Sequence, residues 1–463
     1  MTLAVEGRRV VVAGIAVSGL AAAEALLDRE ASVVVVDGRT GPGEQEAAER
    51  LRARGAEVRL GDAETPVDAE LVVTSPGWRP DQPLLAAALA AGVEVIGEPE
   101  LASRLRAGPT IWLGVTGTNG KTTTVGMLES ILRAAGLRTV ACGNVGLPLI
   151  TAVLTEPAYD VIAVELSSFQ LHWSSSMQFH ASTVLNVAPD HLDWHGSMGA
   201  YATDKAKIWD EGACALFNAD DEWSTRLAQG RHDAHDFGVE PGHQFSLVDG
   251  WIEQRGIPGP DRRLAPVDAV RLPGPHNLSN AVAASGLAYL LNTRGDGPAI
   301  TADAITSGLS GYTPGRHRNE VVAEADDVTW VDDSKATNPH AAAASLSAYP
   351  SVVWVAGGLF KGADIGTLVA AHRARLRGVV AIGVDRSPLL DALARHAPDV
   401  PVVEVTSRDT DVMQDAVAAA GQLALSGDTV LLAPAAASMD QFRDYAERGD
   451  RFAAAVRERI AQS

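Results

Sequence analysis

Residues 114–124 read GVTGTNGKTTT, in which three glycines precede Lys121 and a run of threonines. An apolar stretch leads into this segment and a helix-forming stretch follows it. A strand, a glycine loop and a helix in this order let backbone N–H groups and the helix N-terminus bind phosphate. Lys121 would neutralise charge on the β- and γ-phosphates, and Thr122 could ligate Mg²⁺. Because the strict pattern has a glycine where this chain has Val115, the segment predicts a variant phosphate loop.

Bulk composition limits the class of protein. The chain has 463 residues, a net charge of −20 and two cysteines. The length favours about three domains of roughly 150 residues each. The acidic balance argues against nucleic acid as a partner, and two cysteines give no disulfide framework, which fits a reducing cytoplasm. An uninterrupted run of about 20 apolar residues would indicate a membrane helix. The sequence contains no such run, so we expect no membrane partner.

Short β-rich runs alternate with Ala/Leu-rich helical stretches along the whole chain. This alternation predicts an α/β protein whose mostly parallel sheets carry helices on both faces. We predict three domains: a Rossmann-like domain over 1–107, a central phosphate-loop domain over 108–314 and a second Rossmann-like domain over 315–463. Residues 230–275 are rich in Gly, Pro and charge, and they predict an excursion of short strands and loops.

Two further motifs follow the phosphate loop. The run YDVIAVEL ends a buried strand in Glu165, a suitable place for a second oxygen ligand of Mg²⁺. His191 and His195 have helical i, i+4 spacing, but no third Cys or His ligand accompanies them, which argues against zinc. A histidine near a nucleotide site could ligate Mg²⁺, contact substrate or only form a loop hydrogen bond. The sequence leaves these alternatives open.

The N-terminal segment VVVAGIAVSGLAAAEAL nearly fits the dinucleotide-binding fingerprint. Gly14 and Gly19 occupy the outer glycine positions, but Ala16 takes the middle one. That middle glycine lets the backbone approach a pyrophosphate, so its loss weakens the case for NAD or FAD. Asp37, at the end of the second strand, faces the same crevice. We therefore expect another nucleotide as the ligand there.

Three loops of the third block each follow a predicted strand, where doubly wound sheets bind their ligands. The loops are DDSKATNP, GGLFKGAD and PAAAS, and they carry Lys335, Thr337, Lys361 and Ser438. These side chains are short-range donors suited to carboxylates. If the following segment MDQFRDYAERG is helical, Ser438 lies near a helix N-terminus, which also favours an anion.

In this order the motifs GTNGKTT, ELSSFQ, CGNVGLP, DHLDWH, GPHNLSNAVAA and DDSKATNP resemble those of the Mur ligase family of ATP-dependent amide ligases. The first motif is shared with sister ligases and folylpolyglutamate synthases. ELSSFQ, DDSKATNP and the small first domain favour the member that adds D-glutamate to UDP-N-acetylmuramoyl-L-alanine through an acyl phosphate. That reaction belongs to cytoplasmic peptidoglycan precursor synthesis.

The resemblance implies five groups of site residues and a role for ATP and two Mg²⁺ ions. The catalytic residues would be Lys121, His191 and Lys205. ATP would contact Gly117, Thr118, Asn119, Gly120, Lys121, Thr122, Thr123, Asn277, Asn280, Arg318 and Asp333. The metal ligands would be Thr122, Glu165, His191 and Lys205. The UDP substrate would contact Ser18, Asp37, Arg39, Ser75, Gly77, Asn144, Ser167 and Gln170. D-Glutamate would contact Lys335, Thr337, Lys361, Ser438 and Tyr445.

Lys205 in YATDKAKIW matches the family lysine that CO₂ carbamylates, although Lys207 lies close by. A carbamate turns a cation into an oxygen ligand that a hard metal accepts. One departure from the family is Ala436, where the usual loop has a cysteine. We expect a monomer. The alternatives are a sister ligase or folylpolyglutamate synthase, a dinucleotide-dependent oxidoreductase using the first domain, and a non-catalytic nucleotide switch.

Overall fold

The computed structural model describes residues 3–62, 68–106, 108–209, 212–257, 260–293, 299–406 and 412–462. These residues form two compact units. The first comprises Met1–Arg271 and Leu278–Tyr312, and the second comprises Leu272–Asn277 and Thr313–Ser463. Three separate sheets lie within them, two in the first unit and one in the second. The domain boundaries at 107/108 and 314/315 stay predictions, and residue 107 lies outside the described residues.

The first sheet is parallel and has the strand order β3-β2-β1-β4-β5. Its strands are β1 Arg9–Ala13, β2 Ser32–Asp37, β3 Glu57–Leu60, β4 Leu71–Thr74 and β5 Glu94–Gly97. The accompanying helices are α1 Val17–Leu27, α2 Pro42–Ala53, α3 Pro83–Ala90 and α4 Glu98–Leu105. The strand order reverses between β1 and β4, so a crevice opens beyond their carboxyl ends.

The second sheet has the order β14-β13-β12-β11-β10-β9-β6-β8-β7. Its strands are β6 Ile111–Thr116, β7 Thr139–Gly143, β8 Val161–Glu165, β9 Ala181–Val184, β10 Cys214–Asn218, β11 Ala234–Phe237, β12 Phe245–Val248, β13 Trp251–Gln254 and β14 Arg262–Pro266. The strands β12, β13 and β14 lie in the predicted excursion of short strands, and they pair antiparallel with one another. The other neighbouring strands pair parallel. β6 lies between β8 and β9, so the loop that follows β6 meets the ends of both neighbours.

The helices of this second region are α5 Lys121–Ala134, α6 Leu149–Val153, α7 Ser168–His172, α8 Leu192–His195, α9 Met198–Ala206, α10 Glu222–Ala228, α11 Pro275–Leu290 and α12 Ala302–Gly311, with a 3₁₀ turn at Val267–Ala269. Several of them begin directly after a strand. α5 and α7 start at the carboxyl ends of β6 and β8, which places their N-terminal turns on one edge of the sheet.

The third sheet has the order β15-β16-β20-β17-β18-β19, parallel except for the β15–β16 hairpin. Its strands are β15 Glu320–Ala325, β16 Val328–Asp332, β17 Val352–Gly357, β18 Leu376–Ile382, β19 Val402–Glu404 and β20 Thr429–Leu432. The helices are α13 Pro339–Ser347, α14 Gly366–His372, α15 Ser387–His396, α16 Val412–Leu423 and α17 Tyr445–Gln462, with a 3₁₀ turn at Arg373–Arg375. β20 lies between β16 and β17, so the loops after these three strands are neighbours.

Valine-rich strands lie at the centre of the first and third sheets, whereas the central strands of the second sheet are apolar but mixed in composition. In β1 and β17 the strand residues after the first are buried without alternation, which is typical of parallel strands covered on both faces. The predicted fold class, α/β with mostly parallel sheets and flanking helices, is confirmed. Among the described residues, no helix is both long enough and apolar enough to cross a membrane.

Candidate active site

The glycine loop between β6 and α5 has the shape that its sequence predicts. Gly120 adopts φ +83° as the N-cap of α5, and a Cβ there would lie 2.4 Å from Asn280 Oδ1. A larger residue would therefore clash and strain the backbone. Thr124 Oγ1 donates to the same Asn280 oxygen over 3.2 Å, and Thr123 stands in the first turn of α5. Val115, where the strict pattern has glycine, lies within β6 and is fully buried.

Side chains that the sequence analysis missed hold this loop. Asn186 accepts from the Asn119 N–H over 2.9 Å and donates to the Asn119 carbonyl over 3.1 Å. The Thr118 hydroxyl lies 3.0 Å from the Tyr201 hydroxyl. Tyr201 belongs to the segment YATDKAKIW, quoted above for Lys205, and Asn186 lies two residues after β9. The sequence does not reveal such contacts, because the Asn186 amide and the Tyr201 phenol produce no periodic pattern that would predict them.

The Lys121 ammonium folds back over the glycine loop. Its Nζ donates to the carbonyls of Gly117 and Thr118, each over 2.9 Å. The positive charge thus lies directly at the loop, close to the first N–H groups of α5. This arrangement suits a polyanion, because a point charge and a helix N-terminus act on the same volume.

Glu165 ends β8 beside the start of α5. Its Oε2 accepts from Thr122 Oγ1 over 2.7 Å, and its Oε1 accepts from Asn144 Nδ2 over 2.8 Å. The residue is 1% exposed. A hydroxyl and a carboxylate in contact at the mouth of the loop supply the oxygen donors that Mg²⁺ prefers. Asn144 lies against this pair, so it shares the site of the metal candidates.

Lys205 is buried and reaches the same glycine loop from α9. Its Nζ donates to the Gly117 carbonyl over 2.8 Å and lies 4.6 Å from the centre of the Tyr201 ring. Burial, and then the charge of Lys121, lower the pKa of Lys205 well below its usual range, although three nearby carboxylates act in the opposite direction. The lowered pKa favours the uncharged amine over the ammonium form.

Lys207 faces another way. Its Nζ donates to the His172 carbonyl over 2.8 Å and to Asp204 Oδ1 over 2.9 Å, and a third of its side chain is exposed. Of the two lysines in YATDKAKIW, only Lys205 is hydrogen-bonded to the loop in this structure.

The two histidines of DHLDWH have different surroundings. His191 is the N-cap of α8, with φ +54°, and its half-exposed side chain places Nε2 3.6 Å from Asp190 Oδ2. His195 is buried between Asp204 Oδ2, 3.0 Å from Nδ1, and Ser168 Oγ, 2.9 Å from Nε2. The i, i+4 spacing therefore does not create a metal-binding pair, because the second imidazole is fully engaged elsewhere.

At the crevice of the first sheet, Asp37 and Arg39 form a tight unit. Asp37 accepts from the Ile15 N–H over 2.9 Å and from the Arg39 side chain over 2.9 and 3.1 Å. Burial alone would raise the pKa of Asp37, but the hydrogen bonds from Arg39 and from the Ile15 N–H outweigh it and hold the pKa below its usual value. The ion pair therefore sets the geometry of the loop after β1.

The remaining residues predicted for the UDP substrate border the same crevice. Ser75 follows β4, and a Cβ on Gly14 would lie 2.5 Å from its Oγ. That hydroxyl is buried and has no hydrogen-bond partner within the part of the chain that the structure describes. Ser18 stands in the first turn of α1, and Gly77 is exposed. From the same loop, Arg79 donates to the Asp193 carbonyl in α8 over 2.9 Å, which joins this crevice to the His191 segment.

Ser167 and Gln170 form a capping box at the start of α7. The Gln170 N–H donates to Ser167 Oγ over 3.2 Å, and Gln170 Oε1 accepts from the Ser167 N–H over 2.9 Å. Gln170 is 2% exposed. Its carbonyl oxygen therefore orders the helix start next to Glu165, while Ser167 is the more accessible member of the pair.

In the second compact unit, one buried arginine joins the ligand loops, and the sequence analysis missed it. Arg448 donates to Ser334 Oγ over 3.0 Å, to the Ser334 carbonyl over 2.9 Å and to the Ala436 carbonyl over 3.1 Å. Burial lowers the pKa of Arg448 to about 10, which leaves it charged at neutral pH. Leu359 and Ala437 exchange backbone hydrogen bonds of 2.9 and 3.1 Å, so the loop after β17 joins the assembly.

The residues predicted for D-glutamate lie on these joined loops. Lys335 Nζ lies 4.1 Å from the centre of the Tyr445 ring, and the Thr337 N–H donates to the Lys335 carbonyl over 2.8 Å. Lys361 is exposed in the left-handed region at φ +53°, and Ser438 is 4% exposed. The structure therefore brings together the three loops that carry these side chains.

The expected helix after Ser438 was wrong in its starting point. Residues 439–444 form bends and turns, and α17 begins only at Tyr445. Asp444 causes this late start, since its Oδ1 accepts from the Glu447 N–H over 2.8 Å and caps the helix. Glu447 in turn accepts from the Arg443 N–H over 2.7 Å. Ser438 consequently does not lie at a helix N-terminus.

The predicted nucleotide contacts Arg318, Asp333, Asn277 and Asn280 come from several elements. The Asn319 N–H donates to Asp333 Oδ1 over 3.2 Å. Desolvation raises the pKa of Asp333 to about 6, and the charge of Arg318 opposes it. Asn277 and Asn280 both lie on α11, and Asn277 Nδ2 donates to the Pro273 carbonyl over 2.7 Å.

A second group of potential metal ligands among the described residues comprises His317, Glu320 and Asp332. His317 Nδ1 lies 2.6 Å from Asp332 Oδ2, and the His317 N–H donates to Glu320 Oε2 over 2.9 Å. The hydrogen bond that His317 donates to Asp332 raises the pKa of His317. These contacts describe an ion pair that orders the segment before Arg318, so we assign no metal to it.

Comparison with known protein families extends over most of the chain. Residues 8–97 match the Mur ligase MurD-like N-terminal domain, 115–288 the Mur ligase middle domain and 317–436 the Mur ligase glutamate ligase domain. Among solved structures, the UDP-N-acetylmuramate-alanine ligase of Thermotoga maritima aligns with a TM-score of 0.58 at 18% identity, covering 98% of this chain and 100% of that one. A pseudomurein peptide ligase of Methanothermus fervidus also gives 0.58, at 17% identity, covering 96% and 99%. These two similarities concern the fold alone.

Curated relatives are much closer in sequence. A protein of Thermobifida fusca named UDP-N-acetylmuramoylalanine–D-glutamate ligase is 51% identical over 97% of this chain and 98% of its own length. A protein of the same name from Frankia casuarinae is 54% identical over 98% of this chain and 94% of its own. The motifs around the glycine loop, the order of the three matched domains and this full-length identity agree: the chain belongs to the Mur ligase family.

Proposed function

We propose that the protein is an ATP-dependent ligase that adds D-glutamate to UDP-N-acetylmuramoyl-L-alanine, in cytoplasmic peptidoglycan precursor synthesis. The observation that carries the proposal is the 51% identity, over 97% of the chain, to a relative with that name. The geometry around the glycine loop supports it, because a phosphate loop, a buried acid and a buried lysine converge there. Each subsite comes from one chain, so a monomer is the expected active form, which light scattering would check.

In this proposal the glycine loop and Lys121 hold the phosphates of ATP. An oxygen of the alanyl carboxylate attacks the γ-phosphorus, the bond to the β-phosphate bridging oxygen breaks, and ADP leaves. Lys121 and the N–H groups of α5 offset the repulsion between the two anions and the charge that develops in transfer. The acyl phosphate then reacts with the free amine of D-glutamate. An amide forms, phosphate leaves, and the amine proton passes to solvent or a nearby base.

The residues present fit Mg²⁺. Thr122 Oγ1 and Glu165 Oε2, 2.7 Å apart, would hold one ion, with His191 as a further candidate on a neighbouring loop. Bound Mg²⁺ would supply charge neutralisation between phosphate and carboxylate. Mg²⁺ would place a second cation next to Lys121, so a third positive charge on Lys205 would be unfavourable. The lowered pKa of Lys205 is consistent with an uncharged amine there.

Lys205 is the candidate for carbamylation. Only an uncharged amine can attack CO₂, and the buried Lys205 has the lowered pKa that favours this form. The carbamate would convert this amine, whose Nζ lies 2.8 Å from the Gly117 carbonyl oxygen, into a group with oxygen donors for the metal. Lys207 instead contacts Asp204 and the His172 carbonyl, so it is the poorer candidate.

The other substrates are assigned to the remaining strand ends. The crevice with Ser18, Asp37, Arg39, Ser75 and Gly77 would take the UDP group, and the unpartnered Ser75 hydroxyl is available to it. Along the chain Asn144 and Ser167 both follow the glycine loop, and Asn144 donates to Glu165 beside that loop. D-Glutamate would bind Lys361, Thr337 and Ser438, with Lys335 and Tyr445 beside them. Two carboxylates require such a concentration of donors.

Phosphate release tests the proposal directly. The purified protein is mixed with ATP, Mg²⁺ and UDP-N-acetylmuramoyl-L-alanine, and D- and L-amino acids are added singly. We expect release with D-glutamate and little with L-glutamate or D-alanine. Equal release with another amino acid, or release that needs UDP-N-acetylmuramate instead, would assign the protein to a sister ligase. NAD binding without ATP-dependent release would favour the oxidoreductase alternative.

A further inference from the structure

Asp204 stands directly before Lys205 on α9 and is contacted by three donors, two from other segments and Lys207 from the end of its own helix. Its Oδ2 lies 2.8 Å from His172 Nδ1 and 3.0 Å from His195 Nδ1, and its Oδ1 accepts from Lys207 Nζ over 2.9 Å. Only 11% of its side chain is exposed. We call Asp204 with these three partners the Asp204 cluster. A carboxylate with three charge-assisted or polar partners has a strongly restricted position.

The cluster reaches a further segment through His195. With Nδ1 donating to Asp204, a neutral His195 offers Nε2 as acceptor for the Ser168 hydroxyl, 2.9 Å away. Ser168 is the first residue of α7, which begins shortly after Glu165. Asp204 therefore connects the ends of α7, the short helix α8 and the helix α9. α7 follows Glu165, α8 follows His191 and α9 carries Lys205, and these three residues are proposed for the reaction.

Ser168, His195 and Asp204 have the connectivity of a nucleophile, a base and an orienting acid. A hydrolytic role does not follow, because Ser168 is 2% exposed and the His195 side chain 1% exposed. A substrate carbonyl could not approach the hydroxyl without displacing α8. The hydrogen bonds among these three side chains instead have a structural role, because they hold the helices that carry them in place.

We propose that Asp204 is a positioning residue that fixes the rotation of α9, so that Lys205 faces the glycine loop, and fixes α8, so that His191 faces the same site. This inference rests on the proposed function. Neighbouring residues on a helix differ by about 100° in direction, so restraining one side chain sets the direction of the next. Within the described residues, the Lys205 side chain is held by the hydrogen bond to Gly117 and the contact with the Tyr201 ring. Asp204 supplies the stronger restraint.

A ring contact passes the restraint on to His191. The Phe169 ring is parallel to the His195 ring, with centroids 5.5 Å apart, and its centroid lies 4.8 Å from that of His191. Displacement of His195 would therefore release Phe169 and then His191. The same pair of segments holds Ser167, so the effect should extend to the proposed substrate side of the site but not to the D-glutamate loops of the other unit.

The test is Asp204→Asn, which keeps the size but removes the charge and one acceptor. We expect kcat to fall about 10-fold or more, since small misplacements of reacting groups are costly. Calorimetric titration of Mg²⁺ in the presence of a non-hydrolysable ATP analogue should show affinity lowered about 10-fold, as for other outer-shell partners. The KM for D-glutamate should stay within about twofold of the original value.

Asp193→Asn is the matched control, because Asp193 lies on α8 with 82% of its side chain exposed. We expect wild-type kcat and Mg²⁺ affinity from it. In a double-mutant cycle, His195→Gln should give a similar loss, and adding Asp204→Asn should cost less than about threefold more. A folded Asp204→Asn protein with wild-type kcat and Mg²⁺ affinity would overturn the inference, and so would fully additive losses.

If Asp204→Asn does not fold, the His195→Gln variant provides the test. Its Mg²⁺ affinity should be lowered while its KM for D-glutamate stays unchanged. A wild-type protein that releases no phosphate with D-glutamate would refute the proposed function instead. In that case Mg²⁺ titration with the ATP analogue still tests the positioning role, since it needs no turnover. A melting temperature that falls while both constants are retained would assign Asp204 to stability only and contradict the proposal.

Discussion

Replacing Arg448 by Met should destabilise the second compact unit and weaken D-glutamate binding together. The change removes three hydrogen bonds, of 2.9 to 3.1 Å, and leaves the carbonyls of Ser334 and Ala436 without this donor. An unsatisfied buried polar group costs about 1–3 kcal/mol. Two of them, less the favourable burial of the Met side chain, give a loss of about 3 kcal/mol in unfolding free energy. For a unit of this size that corresponds to roughly 6–12 °C in Tm.

Calorimetric melting and hydrogen exchange provide the assay. We expect faster amide exchange in residues 333–338 and 434–438, because Arg448 joins the two loops, and a KM for D-glutamate raised about 10-fold. Arg451→Met is the control on the same helix, since Arg451 forms a partly exposed i, i+4 ion pair with Glu447 and lies 5.8 Å from the centre of the Phe442 ring. Such pairs contribute less than about 1 kcal/mol. Equal melting temperatures for Arg448→Met and Arg451→Met would refute the reasoning.

Four further changes have expected results. Lys121→Ala should abolish ligation and leave the fold intact, as circular dichroism and phosphate release would show; near-normal turnover would contradict the loop assignment. Lys205→Ala should be nearly inactive and regain activity with short-chain carboxylic acids, whereas rescue of Lys207→Ala instead would shift the assignment to that residue. Lys361→Ala should raise the KM for D-glutamate roughly 10-fold and change the KM for ATP much less, because one charge-assisted hydrogen bond contributes about 1.5–3 kcal/mol; the opposite pattern would move Lys361 to the nucleotide site. Burial raises the pKa of Glu98 to about 7, and the Ile150 N–H opposes this only in part. The folded state therefore holds a proton that the unfolded state releases above about pH 4.5, and unfolding free energy from this group decreases as pH rises from 4.5 to 7. Glu98→Gln should remove that decrease in urea titrations at pH 5 and 8, and an unchanged pH slope would show that Glu98 does not cause it.

The sequence predicted the elements that follow a simple rule. Strands such as β1 and β17 are continuous valine-rich runs, and parallel sheets bind ligands at strand ends, so Asp37, Glu165 and Lys361 were placed on edge loops without a structure. The glycine loop was also recognisable, because Gly120 requires a positive φ and Lys121 follows it directly.

Long-range partners of buried charges could not be predicted in the same way. Arg448 reads as an ordinary charged position of an amphipathic helix, yet its hydrogen bonds go to Ser334, 114 residues earlier. Asp204 likewise gave no signal, since its partners His172 and His195 belong to other segments. The helical composition around Asp444 predicts an earlier start for α17 than the structure has. The Asp444 cap, which is a local signal, sets the start at Tyr445.

The glycine loop and Lys205 explain one another electrostatically. Gly117 offers a single carbonyl oxygen to two lysine side chains, Lys121 over 2.9 Å and Lys205 over 2.8 Å. Two positive charges at one oxygen repel each other, and the buried group has the larger desolvation cost, so the pKa of Lys205 is lowered. The uncharged amine is the form that can react with CO₂, and Lys121 is the residue proposed to bind phosphate. The Gly117 carbonyl therefore contacts two lysines with different proposed roles. Lys121 is the cation that binds phosphate, and Lys205 is the candidate for an oxygen donor to the metal.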